Sequence, residues 1–470
     1  MSTPELQLPV FAPEQLAAWT GGVWEGRPVA VRGVSNNGQR IPAGALYVAI
    51  QGEKHDGHAF VAQAAAGGAA AAMVRRDWRG ASTIPLLRVD DTRAALAAAA
   101  SGYRRTWQTF VAGITGSVGK TTTKELIAAC FRAGGSTAAT AGNLNNDIGL
   151  PLSLLATPDG MQRGIFELGS NHPGEIGALS RVLQPDAAVV TAVGPVHIEH
   201  FGGSVEAIAS EKADLLRAVP AAGFVVLDAD GAHFDYLRRQ AQARVVTVSL
   251  QRDDADYTGC VHDAWSGDIE VRERETGRTL RLCTGLSGRH HGTNTLLAVA
   301  MARAAGVAWE ALSEAPRHLR LPPMRWQQIR ANGFTVVNDA YNANPPAMLG
   351  ALRTFAALPD AGRRVLVLGD MLELGQAEEA LHREVGRAVA GGPWQVLVCV
   401  GARAGWIADE AVAAGFPARQ VWRYADAPAA AADLAAWVKP GDAILVKASR
   451  GIGLERVAAA LVGEGKVSGH

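Results

Sequence analysis

The residues best suited to chemistry in this chain are gathered in Gly113-Ile114-Thr115-Gly116-Ser117-Val118-Gly119-Lys120-Thr121-Thr122. A phosphate chain is held by closely approaching backbone N–H groups, which require glycines, together with a helix N-terminus and a lysine charge. The hydroxyl of Thr121 would complete the shell of a nucleotide-bound Mg²⁺. The strict GxxxxGK[ST] pattern is not met, because Ile114 stands where its first glycine belongs. Two further residues suit a phosphate site: Glu167, ending Ile165-Phe166-Glu167, and His197, reached through Gly194-Pro195-Val196. Glu167 would be a second Mg²⁺ ligand beside Thr121. Taken singly, each also reads as an ordinary loop carboxylate or turn histidine. Lys212 lies on an amphipathic helical stretch, Ile208 to Leu215, where a lysine ordinarily faces water.

The elements that would position these residues alternate in type. Phe110 to Thr115 reads as the strand entering the glycine loop and Thr122 to Phe131 as the helix leaving it. Gly164 to Leu168 and Ala187 to Val193 read as further strands. Ligands of open α/β sheets sit outside the carboxyl ends of strands, so the loop, Glu167 and His197 are expected around one crevice. The last third repeats the style, with strands at Phe334 to Val337, Val365 to Leu368, Val396 to Val400 and Ala443 to Val446. Such alternation implies parallel sheets covered by helices. The first hundred residues are less regular: Ala45 to Ile50 is the clearest strand, and Phe60 to Ala72 reads as an alanine-rich helix.

Linker-like composition marks Ser101 to Thr109 and Glu314 to Arg325. The expected organisation is α/β throughout, in three domains. Residues 1–106 form a small α/β domain, 107–316 a central P-loop domain with a parallel sheet, and 317–470 a C-terminal Rossmann-like domain. The length of 470 residues agrees with this at roughly 150 per domain.

Composition removes several classes. Hydrophobic residues make up 48% and charged residues 19%, which excludes an intrinsically disordered chain. Lys+Arg and Asp+Glu are 45 each, so no whole-chain basic footprint exists for nucleic acid. Four cysteines without a CxxC pair argue against a disulfide scaffold or structural zinc and suit a reducing compartment. The first residues carry acids and prolines rather than a signal-peptide pattern, and no apolar run is long enough to span a membrane. A cytoplasmic protein is expected.

The motifs together resemble the ATP-dependent Mur ligases of bacterial cell-wall precursor synthesis over nearly the whole chain. Gly116 through Thr122 match the family's P-loop, and Glu167, in Phe166-Glu-Leu-Gly-Ser-Asn-His-Pro-Gly-Glu-Ile176, matches its metal-binding glutamate. His197 and Lys212 match its histidine and its carbamylated lysine at the family's spacing. The resemblance implies ATP and two Mg²⁺ ions, the second served by His197 and a carbamate on Lys212. Three stretches are similar to the branch that adds D-alanyl-D-alanine to UDP-N-acetylmuramoyl-tripeptide: Gly142-Asn-Leu-Asn145-Asn146-Asp-Ile-Gly-Leu-Pro-Leu152, Asn338-Asp339-Ala-Tyr341-Asn342-Ala-Asn344-Pro and Leu368-Gly-Asp-Met-Leu-Glu-Leu374.

By the same resemblance, Arg325 would contact phosphate, Asp339 and Asn294 would lie on the nucleotide side, and Lys447-Ala448-Ser449-Arg450 would face the dipeptide's carboxylate. Asn145, Asn146, Tyr341, Asn342 and Asn344 complete the expected substrate set. The implied division of labour is UDP-sugar on the first domain, ATP on the second and dipeptide on the third, acting as a monomer on small molecules. Three departures stand out. The family's HNxxN reads His290-His291-Gly-Thr-Asn294, KGSR reads KASR, and the uridine-region Asp-Ser-Arg reads Asn37-Gly38-Gln39. The downstream stretches from Gly44 to Ile50 and Gly52 to His58 still fit the first domain. Alternatives are a Mur-type ligase with altered substrates, or a nucleotide-binding regulatory homologue that has lost UDP-substrate recognition.

Overall fold

The computed structural model describes residues 8–52, 55–359 and 362–463. Glu53 and Lys54, within the expected UDP-sugar region, lie outside the described residues, as do the outermost residues of the first and last expected domains. Three sheets of five, nine and six strands follow one another among the described residues, beside a short pairing of Val10–Phe11 with Val31–Arg32.

The first sheet has at its heart Ala71–Arg75, flanked by Leu46–Val48 and Leu86–Val89. This corrects the expected alanine-rich helix over Phe60 to Ala72, because the α-helix covers only Val61–Ala66. Gly67 and Gly68 stop it, Gly68 with φ +100°, a conformation that disfavours side chains. The alanines beyond then serve a strand buried on both faces. Ala71 and Met73 enter one core cluster, and Ala72 and Val74 another. Burial of alternate residues overrides alanine's helix preference there.

The central sheet holds β1 (Phe110–Thr115), β2 (Arg163–Glu167) and β3 (Ala187–Val190), with β1 between the other two and all parallel. Helix α1 (Lys120–Ala133) leaves the glycine loop and packs against His290–Ala304. Ile114, Ile127, Phe131 and Leu297 are fully enclosed between sheet and helices. Helix α2 (Val205–Arg217) covers the opposite face. The sheet is mixed rather than wholly parallel. Tyr257–Asp263, Asp268–Glu273 and Thr279–Cys283 pair antiparallel in sequence at one end. Their connections are too short for a parallel crossover, which needs a dozen residues or more.

The junction around Ser101 to Thr109 is packed, not loose. The helix Thr92–Arg104 runs through Ser101, and Tyr103 and Trp107 lie in a core continuous with Phe166 and Leu179 of the central domain. Tyr103 donates its hydroxyl proton to Thr157 O at 2.8 Å, tying the two domains together.

In the third sheet, β4 (Phe334–Asn338), β5 (Arg364–Gly369), Val396–Val400, Val421–Tyr424 and β6 (Ala443–Lys447) are parallel, and only the edge strand Gln327–Ala331 is antiparallel. Helices on both faces enclose two cores, as in a Rossmann-like domain. No helix among the described residues is long and apolar enough to cross a membrane.

Candidate active site

The glycine loop leaves β1 at its carboxyl end. Gly116 has φ +147°, and a Cβ there would lie 2.1 Å from Thr191 Oγ1, so only glycine fits this turn. Ile114, where the strict pattern has glycine, is a fully buried strand residue, and the loop proper begins at Gly116. Ser117 N donates to Ala192 O at 2.6 Å, and Ser117 Oγ and the backbone of Gly194 bond reciprocally at 3.0 Å. Thr191 Oγ1 donates to Val118 O at 2.6 Å. The loop is thus fastened to the segment after β3, which leads on to His197. Lys120 Nζ donates to Gly116 O at 2.7 Å. Desolvation lowers its pKa, Glu167 opposes this, and Arg325 reinforces it.

Thr121, in the first turn of α1, donates its hydroxyl proton to Glu167 Oε2 at 2.9 Å. Asn145 Nδ2 donates to Glu167 Oε1 at 2.8 Å, and Glu167 N donates to Thr140 Oγ1. The carboxylate is 2% exposed, at the carboxyl end of β2. Thr121 and Glu167 form a hard oxygen pair of the kind Mg²⁺ prefers. Of the two adjacent asparagines only Asn145 reaches this cluster. Asn146 accepts from Ile148 N and Gly149 N and shapes the entry to the next helix.

Lys212 is 3% exposed, which corrects the reading of a solvated helix face. Its Nζ donates to Ser170 Oγ at 2.5 Å. Burial, reinforced by Lys120, pushes its pKa down to about 7, while Glu211 and Glu175 oppose the shift. Charging this amine therefore costs on the order of a few kcal/mol. The neighbouring Glu211 accepts from Gly174 N and Ile176 N at 2.7 Å and is committed to that helix start.

His197 adopts φ +53° and turns its Nδ1 against Glu373 of the C-terminal domain. The carboxylate sits in close approach to this ring nitrogen. Burial holds His197 below its ordinary pKa, with Glu373 opposing. Glu373 lies in the Leu368 to Leu374 stretch but is not among the residues the sequence marks for the site. Its only sequence signal is that position.

The Arg325 guanidinium lies 4.0 Å from the Tyr341 ring centroid, and its Nε is buried without a partner. Asp339 accepts from Trp326 N at 3.1 Å and from Lys447 Nζ at 2.7 Å. Lys447 also donates to Asn342 O and is 3% exposed, so its charge is already paired with Asp339 inside the domain. Ser449 Oγ accepts from Leu372 N and donates to Ala343 O. Asn344 Oδ1 accepts from Ala347 N and caps the helix Pro345–Ala356, while Asn342 Oδ1 accepts from Ala343 N. Arg450 is the exposed member of the KASR stretch, beside Glu455. Asn294 bonds His291 Nδ1 at 3.1 Å, and a Cβ on Gly119 would lie 3.2 Å from Asn294 Oδ1. Asn294 thus backs the glycine loop, beside the histidine that replaces the family's asparagine.

Lys120, Thr121, Asn145, Glu167 and Asn294 are brought together around the loop, and Arg325, His197 and Lys212 lie within electrostatic reach of Lys120. Asn146, Asn342 and Asn344 instead spend their side-chain oxygens on local backbone, and Ser449 bridges the backbone of Leu372 and Ala343. In the first domain, Asn37 Oδ1 accepts from Gln39 N and Arg40 N, so Asn37-Gly38-Gln39 forms a self-bonded turn. A separate cleft of about 610 Å³, beside Arg244, Glu273 and Arg303, lies at the antiparallel end of the central sheet, away from these residues.

Three family profiles match the chain: "Mur ligase family, catalytic domain" over residues 30–104, "Mur ligase middle domain" over 114–302, and "Mur ligase, glutamate ligase domain" over 324–450. A UDP-N-acetylmuramoyl-tripeptide–D-alanyl-D-alanine ligase of Bacillus subtilis is 33% identical, covering 92% of this chain and 93% of its own length. The ligase of the same name from Escherichia coli is 35% identical over 80% of this chain and 82% of its own. Among solved structures, MurF from Acinetobacter baumannii superposes with a TM-score of 0.87 at 27% identity, covering 97% of this chain and 99% of that one. MurF from Thermotoga maritima, solved in complex with ADP, gives 0.77 at 26% identity, covering 92% and 97%. The glycine loop, the carboxylate facing it and the three-sheet order thus occur together with similarity along nearly the full length, and the chain belongs to the Mur ligase family.

Proposed function

We propose that this chain is the ATP-dependent ligase that joins D-alanyl-D-alanine to UDP-N-acetylmuramoyl-tripeptide in peptidoglycan precursor synthesis. The observation that carries the reading is the Thr121–Glu167–Asn145 cluster against the glycine loop, in a chain so similar to ligases of that name. The protein would work as a cytoplasmic monomer, with residues 1–106, 107–316 and 317–470 holding the UDP-sugar, ATP and the dipeptide.

In the first step an oxygen of the tripeptide's terminal carboxylate attacks the γ-phosphorus of ATP. The bond to the ADP oxygen breaks, and an acyl phosphate forms. The neutral amine of D-alanyl-D-alanine then attacks the acyl carbon, phosphate leaves, and the nitrogen loses a proton as the amide forms. The loop amides from Gly116 to Thr122 would cradle the phosphates. Lys120 and Arg325 would neutralise charge on the transferring group, the dominant contribution in phosphoryl transfer.

Thr121 and Glu167 fit one Mg²⁺ by their oxygen chemistry, and His197 with a carbamate on Lys212 would hold a second; bound there, the ions would offset the phosphates' negative charge. Lys212 fits that role because its burial favours the neutral amine, which combines with CO₂ to give the carbamate anion and a proton. Asp339 would act through Lys447 and Trp326 N, keeping Arg325 and Tyr341 in place. Arg450 remains the exposed cation of KASR for the dipeptide's carboxylate. ADP release measured with UDP-linked tripeptide, with and without D-alanyl-D-alanine, tests the reading. Sustained turnover should require both, and turnover indifferent to the dipeptide would refute it.

A further inference from the structure

We propose that Glu373 is a positioning residue that sets the His197 ring only when the C-terminal domain is seated on the central domain. The inference deepens the preceding reading and rests on its assignment of His197 to a metal.

The two residues come from different domains and meet carboxylate to Nδ1. Both occupy the left-handed region, His197 at φ +53° and Glu373 at φ +62°. Non-glycine residues persist there when their surroundings over-determine them. The Glu373 loop is firmly anchored within its own domain. Met371 N donates to His382 Nε2 and Leu372 N to Ser449 Oγ, each at 3.0 Å, and Asp370 Oδ1 accepts from Ala404 N. Met371 and Leu374, on either side, are buried in that domain's core. The loop that carries Glu373 therefore moves with the domain and not apart from it. The approach is close: a Cβ on Gly375 would lie 2.8 Å from Glu199 Cβ, and one on Gly194 would lie 3.5 Å from Pro346 Cγ. Histidines that bind metal through one nitrogen are commonly oriented by a carboxylate on the other. Glu373 meets Nδ1, so Nε2 is the nitrogen that would take the ion. Seating of the dipeptide domain and completion of the second ion site would then be one event.

The test uses the full chain and its Glu373→Ala and Glu373→Gln variants. Mn²⁺ binding is followed by electron paramagnetic resonance with a non-hydrolysable ATP analogue, and domain seating by small-angle X-ray scattering of the same samples. In Glu373→Ala the weaker Mn²⁺ site should lose about tenfold in affinity or more, and the radius of gyration should rise. Nucleotide affinity and Tm should hold, and Glu373→Gln, which keeps an acceptor oxygen, should recover part of the loss. Unchanged Mn²⁺ affinity and scattering in Glu373→Ala would overturn the proposal, as would a lowered Tm with intact Mn²⁺ binding. If the parent protein binds a single Mn²⁺, the two-ion reading fails. Scattering then decides the seating role: an expanded Glu373→Ala supports it, and an unchanged one overturns it.

Discussion

Thr121 and Glu167, 46 positions apart, share a 2.9 Å hydrogen bond that joins the first turn of α1 to the end of β2. The bond places a hydroxyl and a carboxylate side by side at the mouth of the glycine loop. Glu167→Gln keeps the size and an acceptor for Thr121 but removes the charge. The Mg²⁺ concentration for half-maximal ADP release should rise by about tenfold or more. An unchanged magnesium titration would take Glu167 out of the ion's shell.

Lys120→Ala removes the ammonium that now rests on Gly116 O. Turnover should fall by about 10²–10³-fold or more, the usual cost of losing one preorganised donor to a developing charge. Tm should not fall, because the Lys120 bonds are to carbonyls of its own loop and desolvation already disfavours its charged form. Near-normal turnover would end the assignment of the loop.

Lys212 has a native pKa pushed down to about 7 from an unperturbed 10.5. Between these values the unfolded chain binds the proton more tightly, so this group's contribution to stability rises with pH from about 7 to 10.5 and is lost as pH falls through 7. In CO₂-free buffer, Lys212→Met should therefore gain stability relative to the parent at pH 6. That advantage should shrink as pH rises, in urea unfolding followed at several pH values. A constant difference from pH 6 to 10 would show that the amine is not desolvated.

The same shift bears on activity. If the neutral amine takes up CO₂, stripping CO₂ should slow the parent reversibly and leave Lys212→Ala at its low basal rate. The parent should also lose activity below about pH 7, where the amine is protonated. Equal rates with and without CO₂, measured after full exchange, would argue against the carbamate.

Asn344→Ala deletes a helix cap, since Asn344 Oδ1 accepts from Ala347 N at the start of Pro345–Ala356. Unfolding should become easier by about 1 kcal/mol. Use of D-alanyl-D-alanine should weaken more than ATP binding, because the helix lies in the third domain. Asn344→Ser or Asn344→Asp should restore the stability by supplying another cap, and failure of both would exclude a capping role.

The glycine loop, its flanking strand and helix, and the carboxylate at the end of β2 were all legible as local pattern. Glycines at fixed spacing, a lysine and hydroxyl after them, and apolar runs of strand length act over a few residues, and such signals survive without knowledge of the rest of the fold. What lay beyond reach depends on which surfaces meet. Ala71–Arg75 forms a strand because both its faces are covered, something alanine's own preference does not reveal. Asn145 and Asn146 look equivalent in the chain, yet one turns to Glu167 and the other to the backbone. Lys212 reads as a solvated cation, and Lys447 as a cation facing the dipeptide's carboxylate. One is desolvated against Ser170 and the other neutralised by Asp339, brought from 108 positions away. Glu373 meets His197 only because two domains are seated together. Short-range periodicity fixes the loop's chemistry and the type of most elements around it, whereas burial, pairing, the strand at Ala71–Arg75 and the resulting protonation states are set by long-range contacts and the low dielectric they create.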